Sequence, residues 1–236
     1  MVRMLDTIRH LEVFSPDTFG DQHVDVIGVG ATGSRIALGL AKLGISQIHV
    51  WDYDRVEAHN VPNQVFGNND IGLLKVEALQ RVVMEQTGTM VTIHPERVDG
   101  TQRLGNIVFL LTDTMASRQE IWKAGLRYKP HVKFVIETRM GKNSGRLYAF
   151  NPSSPSHVRG WEETLYSDDV AEVSVCGTSI TVGSTAEVVS GLAVWQLIRW
   201  HQGQEELRQG KVLTDEVEHE LIFSLQPMMI NASNFQ

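Results

Sequence analysis

Three glycines and one aspartate carry the first chemical signal in the 236-residue sequence. Gly28-Val29-Gly30-Ala31-Thr32-Gly33 stands where a buried apolar run gives way to helical spacing, and Asp52 follows 19 residues after Gly33, at the end of the next apolar run. Glycines so placed let the backbone turn tightly and let a phosphate approach amides at the positive end of a helix. A carboxylate after the second strand can accept hydrogen bonds from ribose hydroxyls. Together they predict a nucleotide site. The glycines alone would equally make a tight turn, and as far as Asp52 a nicotinamide enzyme and an ATP enzyme read the same.

The residues that follow separate those two readings. Asp52-Tyr53-Asp54-Arg55-Val56-Glu57-Ala58-His59-Asn60-Val61-Pro62-Asn63-Gln64 is followed by Ile71-Gly72-Leu73-Leu74-Lys75 and later by Thr112-Asp113-Thr114-Met115-Ala116-Ser117-Arg118. The series resembles the ThiF/MoeB/E1-like adenylyltransferase family. Its members share the glycine turn, a D-x-D-x-V-E-x-x-N-x-x-R-Q block, an I-G-x-x-K element and a T-D-x-x-x-x-R element. Order and spacing agree across residues 24–125, and Arg139-Met140-Gly141 and residues 176–200 agree more loosely.

The resemblance implies a reaction in which the C-terminal carboxylate of a small ubiquitin-like or sulfur-carrier protein attacks the α-phosphorus of ATP. Pyrophosphate leaves and an acyl adenylate remains. It implies ATP and Mg2+ as cofactors, Asp52 on the ribose, Lys75 on phosphate and Asp113 on magnesium. Asp54, Asn60, Asn63 and Gln64 would line the same pocket, and a homodimer is expected. Arg118 matches the family position but could equally make a structural pair. Read alone, Lys75 would be a solvated helix lysine and Asp113 a helix cap. A NAD-dependent oxidoreductase and a catalytically idle nucleotide-binding scaffold stand as the rival functions.

Two departures from the pattern matter. Asn63 occupies the position where the family pattern has arginine, and a neutral amide cannot make the charge-assisted fork that a guanidinium makes to phosphate. Arg35, Arg55, or Arg3 or Arg9 of a second subunit are the candidate replacements. The paired C-x-x-C zinc ligands of the family are also absent, which leaves magnesium as the expected metal. The only cysteine, Cys176, precedes a predicted helix beside a polar stretch. It reads either as a buried small hydrophobe or as a nucleophile acting after adenylation, and some family members use such a residue covalently.

These side chains need a scaffold that brings strand ends together. Apolar, β-branched runs at 24–29, 48–51, 90–93, 107–111 and 134–136 read as buried strands, with helical spacing at 34–43 and 75–84 between them. Alternation of this kind predicts an α/β fold with a Rossmann-like, doubly wound, largely parallel sheet. Runs at 146–150 and 221–225 lack crossover helices and predict an antiparallel C-terminal extension. Ser184 and Glu187 have capping-box spacing at the start of a helix expected to end near Trp200. Residues 151–175 read as a long polar loop. The whole is expected to form one nucleotide-binding adenylation domain, residues 1–236.

Composition narrows the function classes. With 21 Lys+Arg against 28 Asp+Glu the formal net charge is −7, which disfavours a general nucleic-acid or anionic-membrane binder. One cysteine excludes an internal disulfide, and no apolar run approaches the roughly 20 residues of a membrane-spanning helix. A cytoplasmic setting is expected. The histidines, among them His23, His49, His94, His157 and His219, are scattered and show no metal-ligand spacing.

Overall fold

The computed structural model describes residues 5–170, 182–213 and 216–236. Eight strands form one sheet: β1 (Val24–Ile27), β2 (Ile48–Trp51), β3 (Thr92–His94), β4 (Ile107–Leu110), β5 (Phe134–Met140), β6 (Ser144–Phe150), β7 (Glu220–Leu225) and β8 (Met228–Ser233). Their spatial order is β3-β2-β1-β4-β5-β6-β7-β8. The first five in that order pair in parallel, with Val24 beside both Ile48 and Ile107. The remaining three pair antiparallel. This is the expected mixed α/β sheet, with β8 added at the edge.

Alternation along the central strands divides the core. Val24, Val26, Val50, Ile107 and Phe109 face one layer, packed with helices α2 (Ala31–Lys42), α3 (Lys75–Thr87) and α6 (Gly183–Arg208). Ile27, Trp51, Val108, Leu110 and Val135 face the other, with Trp122 and Trp161. Those tryptophans come from the π-helical turn that continues α4 (Met115–Ile121) and from α5 (Pro155–Glu163). A short helix α1 (Pro16–Phe19) sets Phe14 and Phe19 against His201 of α6. Among the described residues no helix is long and apolar enough to cross a membrane.

Three local expectations are corrected. The polar stretch after Phe150 contains α5, which begins with Pro155 at its first turn and buries Val158 and Trp161, three residues apart on one face. No capping box forms at Ser184, because the Glu187 carboxylate pairs with Arg35 of α2 at 2.6 Å and the helix starts without a side-chain cap. The same helix continues past Trp200 to Arg208. Of its two tryptophans, Trp200 stacks on Phe134 at 5.1 Å while Trp195 remains about half exposed.

Candidate functional site

The carboxyl ends of β1, β2 and β4 open into a cleft, where the parallel order places it. Its two adjoining parts, about 300 Å³ and 710 Å³, share Gly30, Asp54, Lys75, Thr112 and Asp113 in their walls. The smaller part also touches Gly28 and Asp52, and the larger Asn60, Asn63, Gln64 and Arg118. Every sequence-predicted cofactor residue therefore borders this cleft: Gly28 and Asp52 its smaller part, Gly33, Asn60, Asn63 and Gln64 its larger part, and Gly30, Asp54 and Lys75 both. Cys176 lies outside the described residues.

The glycines do different work. Gly28 has φ +94°, and a Cβ there would stand 2.7 Å from the Leu111 carbonyl oxygen. A Cβ on Gly33 would overlap the Gly28 carbonyl oxygen at 1.8 Å, so this glycine permits close packing of turn against helix. At Gly30 a Cβ would meet nothing within 4 Å. The space it leaves belongs to the cleft, and α2 begins at that point with no side-chain cap on its first amides. Unsatisfied amides beside open space fit a phosphate group.

Asp52 ties the turn to the second strand. Its Oδ2 accepts from the Val29 amide at 2.7 Å and its Oδ1 from the Asp54 amide at 2.9 Å. Burial pushes the Asp52 carboxyl above its usual value, against the pull of Lys75 and the two amides. Lys75 opens α3 and is itself buried, its Nζ donating to Asp54 Oδ2 at 2.8 Å. Burial alone would lower its pKa, but the carboxylates of Asp52, Asp54 and Asp113 together hold it above the ordinary lysine value. The cation is thus locked on at the bottom of the cleft.

Asp113 is exposed at the mouth. It does not cap α4, because Thr114 occupies the N-cap position and its hydroxyl accepts from the Ser117 amide at 3.2 Å. Asp168 accepts from the next amides, Met115 at 2.6 Å and Ala116 at 3.1 Å, a contact that nothing in the sequence signals. Asp113 borders both parts of the cleft, and its carboxylate offers the hard oxygen donors that suit magnesium. Two further polar atoms of the cleft, Gln64 Oε1 and Thr112 Oγ1, are buried without a hydrogen-bond partner.

Around Asn63 the arginines are already engaged. Arg35 donates to the Asn63 carbonyl at 2.5 Å, to the Ala31 carbonyl at 2.9 Å and to Glu187, so it braces this loop. Arg55 donates to the Gly72 carbonyl at 2.7 Å. Asn60 is buried and caps its own turn, accepting from the Glu57 amide at 2.9 Å. Arg118 is buried, donating to the Thr138 carbonyl at 3.0 Å and lying 3.2 Å from Glu137. Glu137 also pairs with Arg139 and accepts from Trp161 Nε1. Arg118 therefore has a structural partner and still borders the cleft. Arg9 is exposed on a turn of 3-10 helix, and Arg3 lies outside the described residues.

Residues 10–229 match the sequence model of the ThiF family. Over 76 residues, 32% of this chain, the sequence is 36% identical to ubiquitin-like modifier-activating enzyme 5 of Caenorhabditis briggsae. Over 63 residues, 27% of the chain, it is 41% identical to the enzyme of that name from Drosophila ananassae. Each match spans only 16% of the relative. Among solved structures, E. coli MccB superposes with a TM-score of 0.72 at 15% identity, covering 93% of this chain and 64% of MccB. PaaA superposes at 0.66 with 19% identity, covering 98% of this chain and 69% of PaaA. MccB has been crystallised with ATP. At these identities the structural likeness is one of fold.

Proposed function

The chain belongs to the ThiF family, and we propose that it is an ATP-dependent adenylyltransferase that activates the C-terminal carboxylate of a small ubiquitin-like or sulfur-carrier protein. The observation that carries this reading is the buried Lys75 held by Asp54 beside the glycine turn, with Asp113 exposed in the same cleft. The carboxylate oxygen bonds to the α-phosphorus of ATP as the bond from that phosphorus to the pyrophosphate oxygen breaks. A carboxylate is ionised at neutral pH, so the reaction needs alignment and charge stabilisation and no general base.

Each side chain then has a task suited to its chemistry. Asp52 spends one lone pair of each oxygen on an amide and keeps others for the ribose hydroxyls. The turn from Gly28 to Gly33 and the first amides of α2 take phosphate oxygens. Lys75 stabilises charge on the phosphates, with Asp54 positioning it, and Asn60, Asn63 and Gln64 border the phosphate side. Asp113 would hold magnesium, which when bound supplies charge neutralisation at the phosphates. Cys176, the only thiol, would act after adenylation by taking the acyl group as a thioester, displacing AMP.

The rivals differ in what they leave unused. The glycine turn and Asp52 would serve NAD as well, but a nicotinamide reaction gives Lys75 and Asp113 no task. An idle scaffold is favoured by Asn63 alone. We assign the missing cation to an N-terminal arginine, Arg3 or Arg9, of a second subunit in a homodimer, because Arg35 and Arg55 already bind backbone carbonyls. A cytoplasmic setting suits a protein whose single thiol must stay reduced. Carrier-dependent exchange of labelled pyrophosphate into ATP tests the proposal, with calorimetry of ATP and NAD beside it. Exchange and ATP binding are expected; tight NAD binding without detectable ATP binding would overturn it.

A further inference from the structure

A second group of ligand-bearing side chains lies at the other end of the same strands. His23 immediately precedes β1, Asp25 is the second residue of β1, and His49 stands directly beside Asp25 in the register of β2. Paired residues of neighbouring strands point to one face, so the backbone delivers these groups to one spot. One ligand atom from each of His23, Asp25 and His49 lies within 4.8 Å of the other two. Asp25 to Gly28 and His49 to Asp52 are each three residue steps along the chain, which puts the group about 10 Å from the nucleotide cleft.

Asp25 is fully buried. Its Oδ1 accepts from Trp51 Nε1 at 2.6 Å and its Oδ2 from the Gly105 amide at 2.5 Å, which uses about half of a carboxylate's acceptor positions. Neither donor carries a charge, and a buried carboxylate without a cation is costly. His23 Nε2 is buried, makes no hydrogen bond, and stands 3.6 Å from Asp25 Oδ1. That is too long for a hydrogen bond. It is close to the ~3.3 Å that separates two atoms bound to one tetrahedral ion at ~2.0–2.1 Å.

The second imidazole has the support that metal-bound histidines carry. His49 Nδ1 and His94 Nε2 are 3.0 Å apart, and His94 is stacked flat on Trp51 at 3.6 Å. When His49 donates from Nδ1, its Nε2 keeps a free lone pair in a fixed orientation. We propose that His23, Asp25 and His49 bind one divalent transition-metal ion of the zinc class, with His94 positioning His49. Two imidazoles and one carboxylate suit zinc, cobalt, nickel or copper and not magnesium. An ion there would neutralise Asp25 and clamp β1 to β2 away from the cleft, whatever reaction the cleft performs.

Calorimetry of the chelator-treated full chain with zinc, and visible absorption of the cobalt-loaded chain, test the site. One equivalent of zinc is expected, with a raised melting midpoint and cobalt d–d bands. His49→Ala should lower zinc affinity at least tenfold, and His94→Ala about tenfold. His157→Gln in α5, whose ring lies 4.0 Å from that of His219 and outside the group of His23, Asp25 and His49, should change neither signal. His23→Gln, at the partly exposed position before the sheet, is the decisive variant where a substitution inside β2 prevents folding. Failure of the unmodified chain to take up one equivalent, or full retention of zinc affinity in a folded His23→Gln protein, would overturn the proposal.

Discussion

Lys75 Nζ stands 2.8 Å from Asp54 Oδ2, and both residues border the two parts of the cleft. The lysine is buried and the aspartate partly exposed, so one side of the pair is shielded from solvent and the other meets it. An incoming triphosphate would find the ammonium already oriented and charged. Preorganised charge of this kind contributes to rate because little reorganisation is left for the reaction itself.

Replacing the charges at this point should abolish chemistry before it abolishes folding. Asp113→Asn and Lys75→Ala are each expected to slow carrier-dependent pyrophosphate exchange about a hundredfold, or about 3 kcal/mol, as for loss of one preorganised charge contact. Asp113 is exposed, so its variant should melt within about 0.5 kcal/mol of the unmodified protein. Exchange at the original rate in both variants would refute these assignments.

The glycines allow fold and binding to be separated. Gly33→Ala drives a Cβ into the Gly28 carbonyl and should destabilise the protein by about 3 kcal/mol or more, read from urea denaturation. Gly30→Ala meets no protein atom and should cost at most about 1 kcal/mol, yet lower ATP affinity at least tenfold by calorimetry. Unchanged ATP binding in Gly30→Ala would mean that the phosphates do not approach this turn.

Acid sensitivity should trace partly to His157. Burial, and then repulsion from His219 whose ring lies 4.0 Å away, lowers its pKa from 6.5 to about 4. Its Nδ1 already accepts from the Asn151 amide at 3.2 Å, which requires the neutral ring. Because the folded-state pKa is depressed, the unfolded chain takes up the proton first as pH falls. Stability is lost between pH 6.5 and about 4 and levels off below. His157→Gln keeps an acceptor and should flatten that limb of a pH–stability series; an unchanged slope would show that other groups set it.

The Asn63 departure makes a mixing prediction. An Arg9→Ala or Arg3→Ala chain, whichever loses exchange alone, and an Asp113→Asn chain should regain exchange in confirmed heterodimers if that arginine completes the partner's site. One working site of two is expected. Heterodimers that stay inactive would leave the phosphate cation unassigned, and full activity in both the Arg9→Ala and the Arg3→Ala chain would remove the need for one.

What could be read from the sequence were features fixed by local pattern. The glycine turn, Asp52 and Lys75 sit at strand ends and a helix start, so strand–helix alternation already placed them together. Other features were set by contacts distant in the chain. Glu187 had the spacing of a capping residue, yet Arg35, 152 residues earlier, takes its carboxylate. Helix α5 was masked by its polar composition, because two residues, Val158 and Trp161, supply its buried face. The histidines looked scattered because His23, His49 and His94 lie far apart in sequence and meet only through the register of β1, β2 and β3. Asp168 likewise reaches α4 from 53 residues beyond Met115.

Intact mass spectrometry of the carrier tests the central claim most directly. A small protein ending in Gly-Gly, captured with the chain in the presence of ATP, is incubated with the Cys176→Ala chain, ATP, magnesium and pyrophosphatase, so that no thiol of the chain consumes the adenylate, and is weighed before any nucleophile is added. A mass gain of one adenylyl group, absent with Asp113→Asn, is the predicted result. An unmodified carrier accompanied by ADP and inorganic phosphate, or by turnover of NAD in place of ATP, would contradict it.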